Sequence, residues 1–208
     1  MRRQFILPFG YINIVGAGEA NNLAQWENNG AADDRSFVKN VYDWVDSIAF
    51  AVIAVVLIFT FAVRVVGVNG ESMLPTLEDK NFVLISDLFY TPKKGDIIVI
   101  TPTASFALPI IKRVIATGGQ TVDIDFKTGK VIVDGEILDE PYIAEPTMLA
   151  EDVDFPQAVP QGHIFVMGDN RNHSLDSRDT SVGMVDTRYV LGRAIMRIKP
   201  LNKFGIIK

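Results

Sequence analysis

One apolar run, 47-SIAFAVIAVVLIFTFAV-63, constrains this chain more than any other feature: 17 successive residues carry no charge. A helix crossing the hydrocarbon of a bilayer needs about 20 apolar residues, with about 17 the lower bound. The run reaches Val68 if Arg64 snorkels its charge to the interface. Asp43 and Asp46 close its other end, and Tyr42 and Trp44 suit an interfacial belt. A buried core helix in a chain of 208 residues would normally keep a polar face, and this run has none. The expected organisation is a segment 1–46, a single membrane-spanning helix over 47–66 and one folded domain over 67–208.

The first 46 residues read as a poorly structured leader. Their start, 1-MRRQFILPFGYINIVGAGEA-20, has the outline of a secretory signal, but Pro8, Gly10, Tyr11 and Asn13 interrupt its apolar patch. The following 19-EANNLAQWENNGAADDR-35 is polar and reads as disordered. Arg2 and Arg3 tip the charge bias toward an N-terminus on the inside; Arg35 and Lys39 before the span and Arg64 and Lys80 after it balance.

Residues 67–208 hold 15 Lys and Arg against 19 Asp and Glu, a net charge of 15 − 19 = −4. A field of that sign argues against nucleic acid as a partner. The absence of cysteine excludes disulfides, zinc–cysteine sites and thiol nucleophiles. Any histidine chemistry would have to use His163 or His173, the two in the chain.

After Gly67 the pattern changes to short runs rich in Val and Ile. These are 82-FVLIS-86, 96-DIIVI-100, 110-IIKRVIA-116, 121-TVDID-125, 130-KVIVDG-135, 163-HIFVMGD-169 and 190-VLGRAIMRI-198. Gly, Pro and Asp turns bound them, and 126-FKTG-129 suits a hairpin. No amphipathic helix separates the strands, so a doubly wound α/β sheet is excluded. The expected fold is mainly β, an antiparallel domain behind one N-terminal helix. The Pro- and acid-rich stretch 139–162 reads as a long surface loop or a partly ordered connection.

Three stretches could carry chemistry. In 69-NGESMLPTLEDK-80, Ser72 follows Gly70, but Leu74 stands where a nucleophile elbow needs its second glycine. A serine hydroxyl is a weak nucleophile until a base takes its proton, and histidine or a neutral lysine can do so. A free lysine is deprotonated about once in 2,500 at pH 7, and burial raises that fraction. On a strand over 110–116, Ile110, Lys112 and Val114 share one face, while Ile111, Arg113 and Ile115 share the other. Lys112 would then be desolvated by its aliphatic neighbours, or would snorkel to water at a sheet edge. The third stretch, 168-GDNRNHSLDSR-178, reads either as a solvated turn or as a polar network supporting a site.

In order behind a span, these motifs resemble bacterial type I signal peptidase, the serine–lysine leader peptidase. The likeness covers about 47–200, and the ordered set is far more specific than any one motif. It implies an antiparallel β domain of the signal-peptidase type, with Ser72 as nucleophile and Lys112 as general base. Met73 and Pro75 would shape the nucleophile turn, and Gly70 and Arg113 would flank the pair. Asp169, Ser174, Asp176 and Arg178 would support the site, with Ser174 orienting the lysine amine and Asp176 pairing with Arg178. Lysine rather than histidine points to the bacterial branch. Gly70 departs from members that place a serine there to help bind the oxyanion, which leaves backbone N–H groups such as that of Ser72.

The implied substrates are precursors bearing signal peptides, cut after small-x-small sites such as Ala-x-Ala. The implied setting is the cytoplasmic membrane, with the N-terminus inside, the catalytic domain on the outer face and the protein-export channel nearby. No metal or organic cofactor is required. Exposed apolar residues such as 88-LFY-90 would dip into lipid. Two rivals are a soluble serine–lysine self-cleaving repressor, disfavoured by the span and the acidic balance, and a catalytically silent anchored binding protein, disfavoured by the complete motif set.

Overall fold

A computed structural model describes residues 39–58, 60, 63–102 and 108–207. The expectations for residues 1–38 lie outside these. Helix α1, Lys39–Ile58, has 20 residues and is long and apolar enough to cross a membrane. At about 1.5 Å per residue it extends about 30 Å, the depth of a bilayer's hydrocarbon. It begins before the expected residue 47 and includes Asp43, whose carbonyl accepts from the Ser47 hydroxyl at 2.7 Å. Bulky apolar residues such as Trp44, Phe50 and Val56 are exposed along it.

The helix does not extend to residue 66 as expected. Arg64–Gly67 form strand β1 instead, paired antiparallel with β2, Phe82–Ser86. Two adjacent valines favour a strand, and the neighbouring ladder satisfies their backbone groups.

The remaining strands are β3 Ile97–Ile100, β4 Ile110–Thr117, β5 Thr121–Asp125, β6 Lys130–Val133, β7 Glu136–Ile137, β8 Gln157–Ala158, β9 His163–Met167, β10 Val185–Asp186, β11 Val190–Lys199 and β12 Gly205–Ile206. One sheet runs β1-β2-β11-β3-β4-β9-β10, with β12 on β11, and a smaller one runs β7-β6-β5-β8. The pairings are antiparallel. The seven long strands expected from the Val/Ile runs are present to within a few residues. The five missed ones are two or four residues long, too short to leave a period-two signature.

The central strands are covered on both faces, so they read as continuous apolar runs rather than alternating ones. Ile97 and Val99 of β3 enter one cluster with Met73, Leu77 and Ile111. Ile98 and Ile100 enter a second with Val114, Ile164 and Val166. A third cluster joins the two sheets through Ile115, Phe165, Val122 and Val131. Strict alternation along β4 fails beyond Val114, where the register against β9 shifts between Val114 and Ala116.

Candidate active site

Ser72 lies in the turn between β1 and β2. Met73 and Leu77 fix that turn because both are fully buried in the core cluster. Within it the Leu74 amide donates to the Glu71 carbonyl at 3.1 Å, and the Leu77 amide to the Met73 carbonyl at 2.8 Å. The Leu74–Pro75 peptide is cis. Gly70 has φ +86°, a left-handed conformation that a serine would adopt only under strain. Its amide donates to Asp79 Oδ1 at 3.0 Å. The left-handed backbone is what favours glycine at this position.

Strand β4 delivers Lys112 to this turn. Its Nζ donates to Ser72 Oγ at 2.7 Å, and the residue is 3% exposed. Burial is the main reason that its pKa falls from 10.5 to about 8; Asp176 opposes the shift, Arg178 adds to it and Asp169 opposes it. With that pKa roughly one lysine in ten is neutral at pH 7. The snorkelling alternative is not what the strand adopts, because β3 and β9 flank β4 on both sides.

The turn after β9 closes over the nucleophile. The Asn170 amide donates to the Ser72 carbonyl, and Asn170 Nδ2 donates to the Glu71 carbonyl, each at 3.0 Å. Gly168 makes this approach possible. A Cβ there would lie 2.4 Å from the Ser72 carbonyl oxygen and 2.2 Å from Ser174 Oγ.

Arg113, next to the lysine, holds Asp169 through two bonds, Nε–Oδ1 at 2.8 Å and Nη2–Oδ2 at 2.7 Å. It also donates to the Gly95 carbonyl at 2.8 Å. Thr76 Oγ1 donates to Asp169 Oδ2 at 2.5 Å, which ties the nucleophile turn to the same carboxylate. Asp176 and Arg178 form a fully buried bidentate pair, at 2.8 and 2.9 Å. Asp176 also accepts from the Gly168 amide at 2.9 Å.

Ser174 differs from its expected role. Its Oγ is buried and has no hydrogen-bond partner among the described residues, and the Lys112 amine donates to Ser72. The hydroxyl is packed against Gly168, which fixes where it sits.

Sequence reading missed Thr76, Glu140, Tyr142 and Thr147, and left Arg171 as one polar residue among many. Arg171 is fully buried and pairs with Glu140. Glu140 and Tyr142 belong to the stretch 139–162 that reads as a long surface loop or partly ordered connection; no periodic pattern marks them. His173 is exposed and His163 Nδ1 contacts the Gln161 carbonyl, so neither bonds to Ser72 or Lys112. Among the described residues no cluster of His, Asp and Glu could hold a metal ion.

This arrangement, a serine hydroxyl against a buried amine and braced by arginine–carboxylate pairs, suits acyl transfer through a serine. The family profile described as signal peptidase, peptidase S26, matches residues 41–199. A signal peptidase I of Leptolyngbya laminosa is 36% identical over 77% of this chain and 81% of its own length. A signal peptidase I of Bacillus licheniformis is 34% identical over 79% of this chain and 91% of its own. A solved signal peptidase I from Enterococcus faecalis V583 aligns at 30% identity with a TM-score of 0.42, covering 50% of this chain and 97% of that one. On the profile and sequence matches, the chain belongs to the signal peptidase family, peptidase S26, and is a serine endopeptidase of the signal peptidase I type.

Proposed function

We propose that this chain removes signal peptides from exported precursors with a Ser72–Lys112 dyad. The observation that carries the reading is the 2.7 Å contact between Ser72 Oγ and Nζ of the buried Lys112. In the reactive state the amine is neutral and the hydrogen bond reverses, with Ser72 donating. Lys112 takes the Ser72 proton as Oγ attacks the scissile carbonyl. The tetrahedral intermediate collapses when the lysine returns that proton to the leaving amine of the mature protein. The signal peptide remains as an ester on Ser72. Water, losing a proton to the same lysine, then releases it.

The amide of Ser72 donates to no acceptor among the described residues. It is thus available for the oxyanion, and one such donor contributes about 2.7–4 kcal/mol to acyl transfer. The substrate binds extended along β1, an edge strand that leads directly into the nucleophile turn. Shallow pockets there select small residues before the cut, in an Ala-x-Ala-like pattern.

In this reading α1 anchors the enzyme in the cytoplasmic membrane with its N-terminus inside, and the β body works on the outer face. The precursors are held in the same bilayer by their own apolar segments, so anchoring raises the effective concentration of both. Leu88 and Phe89, both exposed, contact lipid, and the export channel is the natural neighbour. The acidic balance gives nucleic acid no role. Purified full-length protein in detergent should cleave a precursor with a small-x-small site. Near-normal turnover by Ser72→Ala or Lys112→Ala would refute the dyad.

A further inference from the structure

Residues 139–147, part of the stretch 139–162 read as a long surface loop or partly ordered connection, pack against the arginines that brace the site. Arg171 Nη2 pairs with Glu140 Oε1, and Arg171 Nη1 donates to Glu140 Oε2 and to Thr147 Oγ1, each at 3.0 Å. The Glu140 side chain is only 6% exposed. Tyr142, half-buried, donates from its hydroxyl to Glu140 Oε1 at 3.0 Å. Its ring lies 3.8 Å from Arg113 Cζ and 5.9 Å from Arg171 Cζ.

These contacts reach both halves of the site. Arg113 follows Lys112 in β4 and grips Asp169, which in turn accepts from Thr76 of the nucleophile turn. Arg171 donates from Nε to the Gly168 carbonyl at 3.1 Å, two residues before the Asn170 amide that holds the Ser72 carbonyl. The Tyr142 ring stacks on Arg113 and faces Arg171. A desolvated guanidinium is attracted to an aromatic face and loses little rotamer freedom when stacked there.

We propose that Tyr142, held by Glu140, is a positioning residue that stacks on Arg113 and thereby sets the register of Lys112 against Ser72. This rests on the dyad reading above. Tyr142 touches neither member of the dyad, so its effect is indirect. A dyad spacing set by a remote contact is sensitive, because a displacement of about 1 Å costs on the order of a hundredfold in rate.

The test uses full-length protein in detergent and three variants, Tyr142→Leu, Tyr142→Phe and Ser72→Ala. Leucine removes the π face but keeps bulk and the Glu140–Arg171 pair; phenylalanine keeps the face and loses the hydroxyl. Turnover is divided by the number of active sites, counted with a serine-directed acylating probe, so that misfolded protein drops out. The expected result for Tyr142→Leu is a fall in kcat per active site of about ten- to thirtyfold, the size of a buried cation–π contact, with KM within about twofold. Tyr142→Phe should recover kcat to within about threefold of wild type. Wild-type kcat per site in Tyr142→Leu, or an equal loss in Tyr142→Phe, would overturn the proposal. Turnover surviving in Ser72→Ala would instead refute the dyad, so the two readings fail separately.

Discussion

The two faces of β4 treat neighbouring cations in opposite ways. Lys112 and Arg113 are both almost fully buried, at 3% and 2% exposed. Lys112 meets a serine hydroxyl, and burial lowers its pKa to about 8. Arg113 meets a bidentate carboxylate, a carbonyl and a tyrosine face, and a guanidinium cannot give up its proton in a protein. Burial alone therefore does not decide charge. The partners on each face do, and one strand supplies both a base that can be neutral and a fixed cation that braces it.

Substitutions that break this contrast should have graded effects. The largest is Lys112→Arg, which puts an unlosable proton where a base is needed. Cleavage should fall by on the order of 10⁴-fold or more, the loss seen when a member of a serine-protease catalytic unit is removed, measured by single-turnover precursor cleavage. Asp169→Ala removes the carboxylate that Arg113 holds through two bonds. Breaking one side of a buried pair costs about 3–5 kcal/mol, so denaturant unfolding should show a loss of that order, together with lost activity.

Lys112→Met should act the other way on stability while abolishing cleavage. The folded pKa of about 8 lies below the unfolded value of 10.5, so below pH 8 folding carries the full cost of burying this ammonium. The unfolded chain holds more protons between pH 8 and 10.5, so wild-type stability gains from this group as pH rises through that window. The methionine variant should be more stable by roughly 3 kcal/mol at pH 7, and the difference should close toward pH 10.5. Equal unfolding midpoints at pH 7 and pH 10 for both proteins would contradict this. Gly168→Ala should cost about 1–3 kcal/mol through overpacking, and activity should suffer more because its Cβ meets the Ser72 carbonyl. The exposed pair Arg188–Asp186 is the control: Arg188→Ala should leave both melting temperature and cleavage unchanged.

Much of this was legible in the residues. The long β runs carry their own Val/Ile signature, whereas the aliphatic neighbours of Lys112 leave burial and snorkelling both open, and the flanking strands β3 and β9 decide for burial. The motif order points to the pairing of Ser72 with Lys112, residues 40 apart that the sheet brings to 2.7 Å. Other features were not legible. Helix and strand share apolar composition, so the change from α1 to β1 before Arg64 leaves no mark in hydropathy. Glu140 and Tyr142 sit among prolines and acids, and their partners Arg171 and Arg113 arrive from distant elements. Ser174 matched a motif, but a motif does not fix a rotamer, and its hydroxyl has no hydrogen-bond partner among the described residues.

The central claim is that Lys112 acts as a neutral base on Ser72. Its most direct test is the pH dependence of single-turnover precursor cleavage by the full-length protein in detergent. The rate should rise with pH along one acidic limb of apparent pKa about 8, with cleavage lost in Lys112→Ala. A limb near the usual histidine value of about 6.5, or cleavage that persists in Lys112→Ala, would contradict it.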